Sequence, residues 1–181
     1  MKILFLDIDG VVNCATTSQR HRGVIGIDPY MAILVDRIVQ ATGCEIVLSS
    51  TWRLWEDERQ EVAKQVGVFI DVTPRMPVGG GAEMCERGYE IRAWLEANRF
   101  KQCRDRNTCH EPFILGSDHK HKITSYAILD DNSDMLPEQL PNFFKTEWKV
   151  GLTKEIANQV IAHLNSEKPQ EKTGIYLPSN W

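Results

Sequence analysis

KILFLDIDGVVN, residues 2–13, is the stretch whose reading decides the fold. Ile3, Leu4, Phe5 and Leu6 form an unbroken apolar run, the pattern of a strand covered on both faces, as in a parallel sheet between helices. Asp7 and Asp9 follow two residues apart. In an extended chain that spacing aims both carboxylates the same way, and Gly10 lets the backbone turn sharply behind them. Two acids beside an unhindered backbone suit a hard cation; the plainer reading is a pair of acids that end a strand and cap a helix.

Working outward, Asp28-Pro29 predicts a helix start, Met31, Leu34, Val35 and Ile38 continue it, and Gly43 closes it. A second strand, 45–48, ends in Ser49, Ser50 and Thr51, and a helix from about 56 to 66 is stopped by Gly67. A short strand at 68–72 precedes a loop at 74–81 containing Pro74, Pro77 and three consecutive glycines. Ile91, Trp94 and Leu95 mark a helix over about 85–97. Tyr126–Leu129 reads as a strand ending in Asp130 and Asp131, a fifth strand is expected at 143–146, and Thr153 caps a last helix bearing Ile156, Val160, Ile161 and Leu164.

Strands alternating with helices imply an α/β fold with a parallel sheet and right-handed crossovers. Ligands of such sheets bind beyond the carboxyl ends of the strands. Asp7 and Asp9, Ser49 and Ser50, and Asp130 and Asp131 all fall at that edge, where a merely structural distribution would scatter them.

Composition narrows the classes. A length of 181 residues favours one domain with a sizeable core. The 42% hydrophobic and 25% charged content is that of an ordinary soluble protein. Asp7 and Asp9 break the first apolar run far short of a signal-peptide core, no stretch resembles a membrane span, and the expected location is the cytoplasm. A net charge of −4 argues against broad, non-specific affinity for nucleic acid while leaving local basic patches open. Cys14, Cys44, Cys85, Cys103 and Cys109 are odd in number and lack C-x-x-C spacing, so free thiols are expected.

With DIDGV, a serine closing an apolar strand and the ILDD pair in place, the chain resembles the haloacid dehalogenase (HAD) superfamily of phosphatases over most of residues 1–165. The runs LSSTWR and RGYEIRAWL and the late GLT look like the small HAD domains of RNA-repair-associated proteins, relatives of the phosphatase half of polynucleotide kinase-phosphatase. The resemblance implies a three-layer α/β/α Rossmann-like fold with a central parallel five-stranded sheet. It also implies a Mg²⁺-dependent phosphomonoester hydrolase with Asp7 as nucleophile, forming an aspartyl-phosphate, and Asp9 as general acid and base. Mg²⁺ would be held by Asp7, the Asp9 backbone carbonyl, Asp130 and Asp131. Ser49, or alternatively Ser50, would grip the phosphate with nearby backbone N–H groups, including the turn at Gly10; the strand register favours Ser49. Arg53 either reaches the same phosphate or lies on the helix surface.

Relatives carry a lysine just before the G-x-E-I segment, where this chain has Arg87; Lys120 and Lys122 are alternative sources of that charge. A second departure is the insertion at about 98–124. Between Arg99 and Lys122 it holds six Lys/Arg and three Asp/Glu, a net +3, together with Cys103, Cys109, His110, His119 and His121. A plain surface insertion, a zinc knot and a basic lip for a polyanionic substrate are all consistent with it. Neither the gap from Asn13 to Asp28 nor that from Val72 to Arg87 is long enough for a large cap domain, so the expected site is open.

An open site suits a phosphorylated nucleic-acid end or a nucleotide; a small-molecule nucleotide phosphatase and a non-catalytic phosphate-binding protein are the alternatives. Retention of both Asp7 and Asp9 favours catalysis over mere binding. No G-x-x-x-x-G-K-[ST] loop is present, so a kinase or ligase partner would act in trans. Trp52, Trp55 and Trp148 are candidates for stacking on bases, although core burial is the commoner fate of tryptophan. No feature specifies an oligomeric state, and the residues after Asn165 read as a solvated tail, 166–181.

Overall fold

The computed structural model describes residues 1–75, 87–103 and 123–166. Five strands form one parallel sheet: β1 (Lys2–Leu6), β4 (Glu45–Leu48), β5 (Phe69–Val72), β6 (Ser125–Asp130) and β7 (Phe143–Lys145), in the order β5-β4-β1-β6-β7. The expected α/β architecture with a parallel five-stranded sheet is the one observed. β1 lies at its centre. The chain builds outward from β1 through β4 to β5, then returns to the other side for β6 and β7, which puts the reversal of strand order between β1 and β6.

The central strand divides its side chains by alternation. Leu4 and Leu6 join one core with α1 (Pro29–Thr42), α2 (Glu56–Gln65) and α4 (Lys154–Asn165), through Leu34, Val35, Ile38, Val62, Val160 and Leu164. Ile3 and Phe5 point the other way, onto Ile91 and Trp94 of α3 (Arg87–Cys103), and Phe5 meets the Trp94 ring edge-on at 5.3 Å between centroids. Helices thus cover both faces, and all four apolar residues of β1 are fully buried.

Local signals act as the sequence predicts at several ends. The Asp28 side chain accepts from the Tyr30 N–H ahead of Pro29, and Gly43 ends α1 in the left-handed region at φ 65°. Thr153 caps α4. Two segments differ. The third helix was expected to stop near Ala97 but runs to Cys103: no glycine or proline interrupts it, and the first six residues assigned to the insertion continue its backbone. Between Asn13 and Asp28 lies a two-stranded antiparallel ribbon, β2 (Arg20–His21) and β3 (Val24–Ile25), turned at Arg22 and Gly23 with φ 51° and 88°. Positive φ at both positions is what a tight two-residue hairpin needs. Most of the proline- and glycine-containing loop, residues 104–122 of the insertion with Cys109, His110, His119, Lys120, His121 and Lys122, and the tail from residue 167 lie outside the described residues.

Candidate active site

Parallel pairing puts Leu6 level with both Leu48 and Leu129, so the three chains leave the sheet at the same height. Asp7 N–H donates to Leu129 O (3.0 Å) and Ser49 N–H to Leu6 O (2.8 Å), which carries the register one residue past the strand ends. Asp7, Asp130 and Asp131 meet there. Each offers a carboxylate oxygen, all within 4.8 Å of one another, and Asp7 and Asp130 are buried. This donor set fits a Mg²⁺ ion: a few hard carboxylate oxygens converging from the strand ends, two of the three acids buried. Asp9, two residues on, is not among these carboxylates.

Burial raises the Asp7 carboxyl to about 6, against the opposing pull of Arg87 and the Ser50 hydroxyl. Asp130 rises further, to about 8, through burial and then the charge of Asp7, and burial also raises Asp131. Two buried acids beside a third, half-buried one favour protons, or a cation in their place.

Arg87, at the first turn of α3, is the counter-charge. Its Nε lies 3.0 Å from Asp130 Oδ2 and its Nη2 3.6 Å from Asp7 Oδ2, and the side chain is 10% exposed. Burial works against its charge, but Asp7, Asp130 and Glu90 outweigh it and raise its pKa. The start of α3 is pinned to do this. Arg87 N–H donates to Asp134 Oδ2 (2.8 Å), Gly88 N–H to Asp134 O (3.1 Å), and Gln139 Nε2 to Gly88 O (2.8 Å). A Cβ on Gly88 would stand 2.7 Å from Leu136 N, so the glycine of RGYEI is what allows so close an approach.

The serines are placed differently from the register argument. After Leu48 the chain turns into a 3₁₀ segment, Thr51–Leu54, whose cap is Ser50: its Oγ accepts from Trp52 N–H at 3.3 Å. That turn delivers the Ser50 hydroxyl, not that of Ser49, to the Asp7 carboxylate. Ser49 Oγ is buried with no hydrogen-bond partner among the described residues. Extrapolating strand alternation fails here because the strand has already ended.

Arg53 does not lie on the helix surface, being only 5% exposed. Its Nε donates to Thr73 O (2.9 Å), Nη1 to Ser50 O (2.6 Å), and Nη2 lies 2.6 Å from Glu90 Oε1. The fork ties the Ser50 turn to the end of β5 and to α3. Glu90 in turn faces Arg87 at 3.9 Å. Gly10, at φ 74°, leaves room for a neighbour: a Cβ there would lie 2.3 Å from Asp131 Oδ2. Its carbonyl accepts from Thr146 Oγ1 (2.7 Å), and its N–H donates to Asn13 Oδ1 (3.0 Å).

Two residues beyond the predicted set fix Asp9. Asn13 Nδ2 donates to Oδ1 at 2.9 Å and Trp52 Nε1 to Oδ2 at 3.0 Å, leaving the carboxylate oriented and half-buried. Asn13 had a local signal, four residues after Asp9 across the glycine turn; Trp52, 43 residues away, had none.

A family model described as "HAD domain in Swiss Army Knife RNA repair proteins" matches residues 3–157, which points to a phosphatase-type hydrolase. Comparisons with curated proteins and with solved structures returned no match. Among the described residues no helix is long and apolar enough to cross a membrane. With its acids gathered at the carboxyl edge of a β5-β4-β1-β6-β7 parallel sheet, and with this match over most of its length, the chain belongs to the HAD domain family of Swiss Army Knife RNA repair proteins.

Proposed function

We propose that this domain is a Mg²⁺-dependent phosphomonoesterase acting on terminal phosphates of a polynucleotide or nucleotide. The observation that carries the reading is the cluster of Asp7, Asp130 and Asp131 oxygens within 4.8 Å, bordered by Arg87 and the Ser50 hydroxyl. Asp7 Oδ attacks phosphorus as the bond to the leaving oxygen breaks, and Asp9 gives that oxygen its proton. Asp9 then takes a proton from water, whose oxygen attacks phosphorus; the bond to Asp7 breaks and inorganic phosphate departs.

Asp7, Asp130, Asp131 and the Asp9 carbonyl would hold Mg²⁺, which supplies positive charge against the repulsion between carboxylate and phosphate. Ser50 and Arg87 face the phosphate oxygens, and Arg53 is a positioning residue that holds the Ser50 turn. The substrate class rests on the RNA-repair setting of the family, and end repair would draw on a kinase or ligase supplied in trans.

The test is phosphate release by wild type and Asp7→Asn, with Mg²⁺ and after EDTA, from 3′- and 5′-phosphorylated oligonucleotides and an aryl phosphate. Metal-dependent release lost in Asp7→Asn, with one oligonucleotide end preferred, is the expected result. Turnover of the aryl phosphate alone would remove the substrate assignment, and no release at all would leave a phosphate-binding domain.

A further inference from the structure

The four tryptophans among the described residues divide sharply: Trp52 and Trp94 are 5% and 4% exposed, whereas Trp55 and Trp148 are 56% and 43% exposed. Both exposed indoles line one cleft of about 590 Å³, together with Val24 and Ile25 of the β2-β3 ribbon, Trp52 and Asp9. Val24 is 60% exposed. So much uncovered aromatic and aliphatic surface costs solvation free energy unless something apolar and flat occupies it. The volume falls in the range of small-ligand pockets.

The cleft is built rather than incidental. His21 of the ribbon stacks on Trp52 with ring centroids 5.6 Å apart and planes 31° apart, which fixes the ribbon against the same indole that holds Asp9. Arg22 at the ribbon's tip pairs with Asp57 of α2, anchoring the opposite wall. Glu58, whose Oε1 lies 4.0 Å from Arg22 Nη1, adds a second carboxylate to that wall of the cleft.

Asp9 belongs to both the catalytic cluster's strand end and this cleft. Whatever is attached to the oxygen that Asp9 protonates must leave the phosphorus on this side. We propose that the cleft takes the nucleobase of the terminal nucleotide whose phosphate is removed, by stacking on Trp55 and Trp148. This rests on the phosphatase reading above and assigns its substrate side. Base stacking on aromatic side chains tolerates any base, as a repair activity on varied ends requires. A small polyhydroxylated leaving group would leave the indoles bare.

The experiment compares kcat/KM for a nucleoside 3′-monophosphate with that for glycerol phosphate, in wild type, Trp55→Ala, Trp148→Ala and the double variant. Loss of stacking lowers the ratio of the two by about ten- to a hundredfold in the double variant, chiefly through the nucleotide KM. An unchanged ratio, with both substrates affected alike, would overturn the proposal. Calorimetric titration of the same proteins with the two phosphates separates it from the catalytic reading. If wild type hydrolyses neither compound yet binds the nucleotide more tightly, and the double variant loses that preference, the cleft stands while the phosphatase assignment falls. Equal binding of the two compounds by wild type would sink the cleft alone.

Discussion

Trp52→Phe isolates the hydrogen bond that aims Asp9. Phenylalanine keeps a ring in the buried site beneath His21 but removes the Nε1–H that reaches Asp9 Oδ2 at 3.0 Å. Hydrogen bonds to charged groups contribute about 1.5–3 kcal/mol. Asn13 still holds the other oxygen at 2.9 Å, so the lower part of that range applies. At 1.36 kcal/mol per factor of ten, the expected fall in kcat is roughly 10- to 30-fold. The loss must depend on the leaving group, because Asp9 acts by protonating it. An alkyl phosphate, whose alkoxide is a poor leaving group, should show the whole effect; p-nitrophenyl phosphate, whose phenolate departs with little help, should lose less than about threefold. Steady-state kcat on both esters, with thermal unfolding to confirm the fold, makes the measurement. Equal losses on the two esters would refute the claim that Trp52 positions a general acid, and unchanged kcat on the alkyl ester would show that Asn13 alone suffices.

Other expectations come from the acid cluster. Arg87→Met at pH 8 in EDTA leaves Asp7 and Asp130 without their counter-charge and should cost about 3–5 kcal/mol, roughly 6–20 °C in Tm, with Arg87→Lys recovering part of it; a Tm equal to wild type would contradict the pairing. Asp7 and Asp130 have folded pKa values, about 6 and about 8, above the ordinary 3.8, so the folded state binds protons more tightly than the unfolded one. Their contribution to stability is therefore full below about pH 4 and is lost as pH rises through 6 and 8. Metal-free protein should accordingly lose Tm between pH 5 and 8.5 relative to Asp130→Asn, and added Mg²⁺ should raise Tm more at pH 8 than at pH 5; a Mg²⁺ shift independent of pH would argue against a shared site. Gly10→Ala combines a left-handed φ with a Cβ against Asp131 and should raise the Mg²⁺ concentration needed for half-maximal activity, whereas Gly43→Ala, with nothing within 4 Å, should cost only about 1–2 kcal/mol of backbone strain. Identical Mg²⁺ titrations of the two variants would remove Gly10 from the site.

Much of this protein was legible one segment at a time. The apolar run of β1, the Asp28-Pro29 start and Gly43 stop of α1, the Thr153 cap and the parallel sheet are properties of neighbouring residues and of hydrophobic period, and these survive folding because each is settled within a few residues. The gathering of Asp7, Asp130 and Asp131 at one edge was also readable, since strands of a parallel sheet end together and polar residues placed after them must meet. Tertiary structure alone decided which groups touch. Whether Ser49 or Ser50 faces Asp7 depended on a 3₁₀ turn beyond the strand, where alternation no longer applies. Arg53 turned inward because Thr73, Ser50 and Glu90, from three different parts of the chain, offered acceptors that a buried guanidinium requires. Trp52 was joined to Asp9, and Trp55 and Trp148 were left bare around the same carboxylate, by the packing of a ribbon, a helix start and a loop whose spacing in sequence carries no trace of their meeting. Local chemistry writes strands, caps and turns into the sequence, while contacts between distant side chains depend on the geometry of the whole packed chain.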